Sequence, residues 1–335
     1  MAGAPPGWSA RQGALTASSV VLAVLVGAAL GLQDLWWAAI SAWVVANPDF
    51  GALWRKAVMR MVGTMAGLAL GYALAIVMEG RVAFQALALF AACALGSYQR
   101  FASRYGYAWF YGTITIMLMV TVSIVEPRVL FSFAQFRFVE IACGVLASAF
   151  VHALAHAPAP AHAAPASAAA HAPDLDLTRL ALVGGLSAVG MTAIWSWFDI
   201  PSLPQAIASA LVVLDRDFAA IRARARQRFL GCALGAALGV AALSLDLDAL
   251  PLYGAVLFAG IFYFSRLHHG GGSQSYIGTQ GGVAFITAMV TGSGPPAALL
   301  PVVERLAGIF VGVLLMVGVS VVLAAVLRRK LPATP

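Results

Sequence analysis

Charged side chains are scarce in this chain of 335 residues. Only 10% of the residues are Asp, Glu, Lys or Arg, and 61% are hydrophobic. Soluble domains carry roughly 25% charged residues, so this composition excludes a soluble globular protein. The neutral stretches between the charges predict twelve membrane-spanning segments. Most of them approach the length of about 20 residues that a membrane helix needs, but the segments 35–48 and 200–214 are short.

The signatures of common enzyme classes are also missing from the sequence. It contains no phosphate-binding loop, nucleophile elbow or zinc-binding spacing, which argues against an enzyme, an ATP-driven pump and a bound metal or cofactor. His268 and His269 are adjacent, and they lack the helical spacing that places two imidazoles on one metal ion. The three cysteines, Cys93, Cys143 and Cys232, each lie in a neutral segment and are predicted to be buried thiols.

The excess of positive charge agrees with a membrane topology. A net charge of +7 and a pI near 9.7 would suggest a nucleic-acid partner in a soluble protein. If the amino terminus is cytoplasmic, however, sixteen of the twenty Lys and Arg residues fall on the cytoplasmic side, as the positive-inside rule expects. The sequence therefore predicts a multi-pass inner-membrane protein that has both termini in the cytoplasm and binds no nucleic acid.

The chain contains an internal repeat. At an offset of 168 residues, the segments 41–71 and 209–239 share fourteen identities over 31 positions. Six segments in each copy give both copies the same orientation in the bilayer. We therefore expect an all-α polytopic membrane protein of about twelve transmembrane helices. Its two parallel six-helix repeats are expected to be related by a pseudo-twofold axis along the membrane normal.

The boundaries of the two repeats follow from composition. Residues 1–156 form the first six-helix repeat, residues 157–178 an Ala/Pro/His-rich cytoplasmic linker, and residues 179–335 the second repeat. The fifth and eleventh segments do not keep the offset of 168. There the sequence matches at an offset of 166, which pairs Gly112-Thr113 with Gly278-Thr279.

The second and third segments carry the motifs of a known family. Trp36-Trp37 opens the short second segment, Asn47-Pro48 ends it, and Arg60-x-x-Gly63-Thr64-x-x-Gly67 opens the third. The second copy repeats this last motif as Arg228-x-x-Gly231-Cys232-x-x-Gly235. These motifs and their spacing resemble the fusaric acid resistance and aromatic acid exporter family of bacterial inner-membrane proteins.

The resemblance implies export from the cytoplasm. It implies a secondary-active exporter of small organic anions, above all aromatic carboxylic acids, that is driven by the proton gradient. It also implies a periplasmic adaptor and an outer-membrane channel as partners, besides the anion and the lipid bilayer. Two alternatives remain open: a passive organic-anion channel that resembles the plant malate channels, and a membrane scaffold that transports nothing.

Two pairs of arginines are predicted to bind the anion. Arg60 and Arg228 match in the repeat and are expected at the cytoplasmic starts of the third and ninth segments, where backbone N–H groups and the helix dipole also attract an anion. The alternative is that both only anchor helix ends in the anionic inner leaflet. Arg137 and Arg305 form the second matched pair.

The fifth and eleventh segments are unusually polar and are predicted to line the substrate pathway. The alternative for their aromatic residues is a belt at the membrane interface. The glycines Gly270-Gly271-Gly272 and Gly281-Gly282 predict a broken or late-starting helix in the eleventh segment. The predicted lining residues are Tyr107, Tyr111, Thr113, Thr115, Ser275, Tyr276, Thr279 and Gln280.

Two rows of glycines are spaced four residues apart, which is typical of close helix packing. We expect the two rows to mark the seam between the repeats if they face each other. The rows are Gly63, Gly67 and Gly71 in the third segment, and Gly231, Gly235 and Gly239 in the ninth.

Three carboxylates are weak candidates for proton coupling. Glu140 lies inside the sixth segment, but Arg137 is one helical turn away, so an ion pair is the competing interpretation. Asp49 and Asp217 match in the repeat, and each also fits the N-cap position of a helix. We favour capping for these two aspartates.

Overall fold

The chain is helical throughout the part that the computed structural model describes, which comprises residues 8–155, 174–198, 203–216, 218–245, 247–272, 274–290, 292 and 300–330. These residues form twelve α-helices and one short 3-10 helix, Pro127–Val129, and no strand. The all-α prediction is therefore confirmed. The helices are α1 (Trp8–Ala29), α2 (Leu35–Val45), α3 (Phe50–Val77), α4 (Val82–Ala102), α5 (Gly106–Val125), α6 (Leu130–Leu154), α7 (Asp174–Phe198), α8 (Leu203–Val213), α9 (Phe218–Leu243), α10 (Leu250–His269), α11 (Ser275–Met289) and α12 (Leu300–Lys330).

Eight helices of the described residues are long and apolar enough to cross a membrane, namely α1, α3, α4, α5, α6, α7, α10 and α12. The helices α2 and α8 have eleven residues each, so each is only about 16 Å long, roughly half the hydrocarbon thickness. The helix α11 has fifteen residues. The helix α9 is long, but its first half carries four arginines. Twelve spans therefore remain a prediction.

The helices form two compact units, and each unit takes helices from both halves of the sequence. The first unit contains α1, α2, α10 and α11, together with α3 as far as Met61, α6 from Gln135 and α9 from Arg226. The second unit contains α4, α5, α7 and α8, with the remaining parts of α3, α6 and α9 and most of α12. The predicted repeats thus exchange their fourth and fifth helices.

Helix packing is the same in the two units. In the first unit α1 packs against α10 and α2, α10 against α11, and α2 against α11. In the second unit α7 packs against α4 and α8, α4 against α5, and α8 against α5. Each pair of the first unit has a partner pair at repeat-equivalent positions. The predicted rotation about the membrane normal stays a prediction.

One close contact shows how far this equivalence extends. A Cβ atom at Gly144 of α6 would overlap the carbonyl oxygen of Ala38 in α2. In the second unit, a Cβ atom at Gly312 of α12 would overlap the carbonyl oxygen of Ala206 in α8. Glycine is required at both positions because the two backbones lie too close for a side chain.

The two rows of glycines pack as predicted, but not against each other. The row on α3 lies against α5, and the row on α9 lies against α11, because a missing Cβ lets each pair of helices approach closely. The condition set for a seam, that the two rows face each other, is therefore not met. The contacts pair Gly63 with Ala108, Gly67 with Gly112, Gly71 with Met119, Gly231 with Ile277, Gly235 with Gly281, and Gly239 with Ala288.

These contacts also correct the register of the fifth and eleventh segments. Gly112 of α5 and Gly281 of α11 occupy the same place against the glycine rows, which is an offset of 169 residues. The sequence match at an offset of 166 is therefore wrong. Two Gly-Thr dipeptides produced that match by chance, whereas packing positions decide the structural equivalence.

Two helix starts differ from the sequence-based boundaries. The helix α3 begins at Phe50, although the charges at Arg55, Lys56 and Arg60 suggested a start near residue 61. The helix α7 begins at Asp174, inside the predicted linker 157–178. Residues 157–173 of that linker lie outside the described part of the chain.

Candidate functional site

The short helix α2 is the centre of the candidate site. Its residues are almost entirely apolar, and eight of its eleven residues are buried. Helix α1 covers one side of it, α11 another, and Gly144 of α6 contacts its Ala38 carbonyl. Asp34 is the residue before its first turn. The polar residue Asp34 thus lies at the start of a short helix that is packed inside the first unit.

Three charged side chains meet at the start of α2. The Arg137 guanidinium donates from Nη1 to Glu140 Oε2 at 3.0 Å and from Nη2 to Asp34 Oδ2 at 3.3 Å. The Asp34 backbone N–H donates to Glu140 Oε1 at 2.8 Å. Arg137 and Glu140 are almost completely buried, whereas the side chain of Asp34 is 41% exposed. The predicted Arg137–Glu140 ion pair is confirmed, and Asp34 joins it from α2.

Two indoles border this charged cluster. The Arg137 guanidinium lies 4.2 Å from the ring centroid of Trp37 and 5.9 Å from that of Trp36. The two indole rings are 4.1 Å apart. A guanidinium over an indole face is attracted by the ring quadrupole. The site therefore combines a guanidinium, paired with two carboxylates, with two aromatic surfaces.

Arg60 contacts the same face of α2 farther along. Its Nη2 donates to Ser41 Oγ at 2.9 Å, and Ser41 Oγ donates in turn to the Trp37 carbonyl at 2.6 Å. The positions 34, 37 and 41 share one face of a helix, because they are spaced three and four residues apart. The face of α2 thus joins the surroundings of Arg137 to those of Arg60.

The position of Arg60 differs from the one expected. Because α3 begins at Phe50, Arg60 is three turns inside the helix, about 15 Å from its start. Arg228 lies equally deep in α9, which begins at Phe218. Both side chains are buried, so neither is an anchor in the lipid headgroups, and neither uses the free N–H groups of a helix start.

Arg228 is held by α11. Its Nη1 donates to Gln280 Oε1, and both side chains are buried. Gly231, one turn later on α9, lies against the Cβ atom of Gln280. The oxygens that Ser41 and Gln280 offer to Arg60 and Arg228 are neutral, so these two contacts do not cancel the positive charges.

Family models match nearly the whole membrane part of this chain. The model of the fusaric acid resistance protein family matches residues 13–188, which is more than half of the chain. The chain belongs to the fusaric acid resistance protein family. A second model, described as fusaric acid resistance protein-like, matches residues 188–325. This is a family of membrane transporters, and the resemblance inferred from the motifs is confirmed. No curated protein and no solved structure matches the chain.

In this member of the fusaric acid resistance family, the polar residues of α5 belong to the second unit. Thr113 and Thr115 are buried, and each hydroxyl donates at 2.8 Å to the carbonyl four residues earlier. Thr113 packs on Gly96 of α4, and Thr115 packs on Gly67 of α3. Tyr107 and Tyr111 are half-buried, with ring centroids 4.7 Å apart.

The polar residues of α11 belong to the first unit and contact the end of α10. Ser275 Oγ donates to the His268 carbonyl at 2.7 Å, and Thr279 Oγ1 lies 2.7 Å from His268 Nδ1. Tyr276 is half-buried. The late helix start is confirmed, since Gly271 and Gly272 have positive φ angles of 73° and 90° before α11 begins.

The second pair of glycines does not break α11. Gly281 and Gly282 lie inside a continuous helix, where the rings of Phe264 and Trp43 occupy the space that a Cβ atom would need. Of the two predicted alternatives, a broken or a late-starting helix, the described residues therefore show the late start. The small size of Gly281 and Gly282 serves packing, as it does in the glycine rows.

The remaining predicted residues are two aspartates, Arg305 and the three cysteines. Asp49 caps α3, because its carboxylate accepts the backbone N–H groups of Gly51 at 3.0 Å and Ala52 at 3.2 Å. Its predicted capping role is confirmed. Asp217 and the side chain of Arg305 lie outside the described residues. The three cysteines are buried and free.

One polar region of the first unit was missed by the sequence analysis. The helices α1, α6 and α10 each carry two polar residues four positions apart, which places each pair on one helix face. Thr16 Oγ1 lies 3.5 Å from His269 Nε2, which joins α1 to α10. The spacing on otherwise apolar helices was the available signal. The pairs are Gln12 and Thr16, Ser148 and His152, and Ser265 and His269.

One described cavity lies in the second unit and differs in character. It has a volume of about 700 Å³, and only aliphatic residues and Gly318 of α7 and α12 line it, including Leu186, Ile194 and Leu315. A carboxylate would find no hydrogen-bond donor on these side chains. This groove in the second unit therefore offers only apolar contacts.

Proposed function

We propose that this chain is a secondary-active exporter of small organic anions, above all aromatic carboxylic acids, across the bacterial inner membrane, and that the proton gradient drives it. Membership of a transporter family supports transport. The observation that supports an anion as cargo is the pair of buried guanidiniums, Arg60 and Arg137, along one face of α2. Arginine binds carboxylates through paired, charge-assisted hydrogen bonds.

In this proposal the two matched pairs of arginines bind the anion at different points of its pathway. Arg60 and Arg228 receive the carboxylate on its way from the cytoplasm, and Arg137 binds it nearer the outer face. Arg305 is proposed as an anion-binding residue because it matches Arg137 in the repeat. The polar residues of α5 and α11 line the pathway. Glu140 is the proposed coupling carboxylate, since it is buried beside Arg137. Asp49 is less suited to coupling because its oxygens cap α3.

The surrounding arrangement is part of the same proposal. Twelve spans in two parallel repeats, with both termini in the cytoplasm, would place the start of α2 toward the outer face and Asp49 toward the inner face. A periplasmic adaptor and an outer-membrane channel would then receive the released anion. Reporter fusions at Ala155 and Pro335 test this topology, and activity of a periplasmic reporter at either site would contradict it.

The proposed function is tested by efflux from whole cells. Cells that express the full chain are loaded with radiolabelled benzoate or 4-hydroxybenzoate, and efflux is compared with that of cells carrying an empty vector. We expect faster efflux that an uncoupler abolishes, while efflux of the neutral isostere benzamide stays unchanged. Efflux that persists with the uncoupler indicates a passive channel. Efflux equal to that of the empty vector contradicts transport of these acids.

A further inference from the structure

The two carboxylates on Arg137 are held very differently. Glu140 is completely buried, and its two oxygens accept from the Arg137 guanidinium and from the Asp34 backbone N–H. Within the described part of the chain, the Asp34 carboxylate makes one polar contact, to Arg137 at 3.3 Å, and the side chain is 41% exposed. Glu140 is therefore a fixed partner of Arg137, whereas Asp34 is an exchangeable one.

The backbone before Asp34 is suited to such an exchange. The turn between α1 and α2 contains Gly31, which has a φ of 67°, a conformation that side chains rarely adopt. The Asp34 side chain makes no capping hydrogen bond with α2. Rotation of this side chain away from Arg137 therefore costs one partly exposed ion pair and leaves the helix start intact.

We propose that Arg137 binds the carboxylate of the transported anion, and that Asp34 is a built-in competitor that occupies the same guanidinium edge when substrate is absent. This inference rests on the proposed function. An incoming carboxylate has the same charge and the same pair of acceptor oxygens as the Asp34 side chain. The exchange therefore leaves the net charge of the buried cluster unchanged.

The two indoles favour binding of an aromatic acid over binding of Asp34 at Arg137. Trp37 lies against Arg137 with 4.2 Å between the guanidinium carbon and the ring centroid. The Trp36 ring centroid lies 4.1 Å from that of Trp37, with the rings tilted by 32°. An anion bound to Arg137 lies close to both rings. An aromatic carboxylate gains ring contacts there that Asp34 lacks, so the pair selects against small aliphatic acids.

The return of Asp34 to Arg137 would then expel the bound anion. Competition by Asp34 weakens binding of the anion and speeds its release. Removing the Asp34 charge should therefore strengthen binding and slow release. Asp34→Asn removes the charge and keeps the shape, and asparagine is as good as aspartate before a helix. The Asp34 backbone N–H, and with it the contact to Glu140, stays in place.

The test is transport of radiolabelled benzoate by the full chain in proteoliposomes. We expect Asp34→Asn to lower KM roughly two- to fivefold, as loss of one partly exposed ion pair allows, and to lower the maximal rate as well. Glu79→Gln makes the same change of charge on an exposed residue between α3 and α4, and it should leave both values unchanged. An Asp34→Asn variant whose KM is unchanged or higher contradicts the inference.

A second variant tests Arg137 without leaving a lone buried charge. Arg137→Gln alone would leave Glu140 unpaired and would unfold easily, so Arg137→Gln is combined with Glu140→Gln. We expect calorimetry on the purified double variant to show loss of benzoate binding while it elutes as folded protein. Retained binding contradicts the inference.

Failure of this inference can be distinguished from failure of the proposed function. If the native chain transports benzoate and Asp34→Asn keeps the native KM, only the exchange at Arg137 is wrong. If the native chain neither transports nor binds benzoate, the proposed function and the exchange are both wrong.

Discussion

In the first unit, Asp34 precedes α2, and α2 carries Trp36 and Trp37 beside Arg137 and Glu140. In the second unit, α8 takes the place of α2, and the residues equivalent to Trp36, Trp37 and Glu140 are Pro204, Gln205 and Gly308. The packing of the two helices is nevertheless alike. Repeat-equivalent positions that bring backbones together kept their residues, whereas positions that supply charge and aromatic surface differ.

The second unit places its charges at other points. Arg100 donates to the Leu211 carbonyl at 2.6 Å, and Arg216 donates to the Phe101 carbonyl at 2.5 Å. Arg224 pairs with Asp215 at 2.7 Å. These arginines mostly bind backbone carbonyls, so they join helix ends. The charged side chains of the two units therefore make different contacts, although their helices pack alike.

The strongest test of the shared packing is a side chain at Gly144 or Gly312. Each glycine touches a carbonyl of the neighbouring short helix, so valine at either position should overpack it and cost about 3 kcal/mol. We expect Gly144→Val and Gly312→Val to lower the melting temperature equally, as measured by fluorescence-detected size exclusion after heating. Gly318→Val is the matched control, because a Cβ atom there meets nothing within 4 Å. Tolerance at only one of the two sites would show that the units do not pack alike.

The next test concerns the buried matched arginines. Loss of a charge-assisted hydrogen bond costs about 1.5–3 kcal/mol, so we expect Arg60→Ala and Arg228→Ala to reduce benzoate export roughly 10- to 100-fold at equal protein levels. The lysine variants should keep part of the activity, because they keep the charge and lose the forked geometry.

Arg224→Ala is the control for this comparison, since Arg224 lies one turn before Arg228 on α9 and pairs with Asp215 in a partly exposed ion pair. Export by this variant should stay within about twofold of the native value, as expected for such pairs. Native export by both Arg60→Ala and Arg228→Ala would exclude these two arginines from the pathway.

The smallest expected effect is the difference in export between a variant on α11 and a variant on α5. Gln280→Leu removes the acceptor from Arg228, so export should fall roughly fivefold, which corresponds to about 1 kcal/mol. Thr115→Val should change export by less than about twofold, because the Thr115 hydroxyl bonds within its own helix. Initial efflux rates at equal expression measure both. The reverse order would show that export depends on the Thr115 hydroxyl more than on the contact of Gln280 with Arg228.

Local features of the fold were predictable from the sequence. Asp49 was recognised as a cap because a helix start leaves N–H groups that a carboxylate can accept. The Arg137–Glu140 pair was recognised because residues three apart share a helix face. The glycine rows were recognised as packing surfaces for the same reason. In each case the partners lie within a few residues or repeat with a fixed period.

Features that join distant segments were not predictable. Asp34 contacts Arg137 across 103 positions of the sequence, and no periodicity connects an aspartate in a turn with an arginine on another helix. The start of α3 was misplaced because the charges at Arg55, Lys56 and Arg60 were taken to lie before the helix. The helix begins before them, at Phe50, and Arg60 is buried. Which helix covers each glycine row was equally inaccessible, since a row of small residues fits any close neighbour.

The exchange of the fourth and fifth helices has a consequence for biogenesis. Helix α1 leaves the ribosome long before its packing partner α10, and α2 must wait for α11. Until the second half of the chain is translated, the translocon releases helices whose partners are not yet in the bilayer. Pairs such as α1 with α2 and α4 with α5 can pack early, but the first unit is complete only once α10 and α11 have emerged, and the second only once α12 has followed.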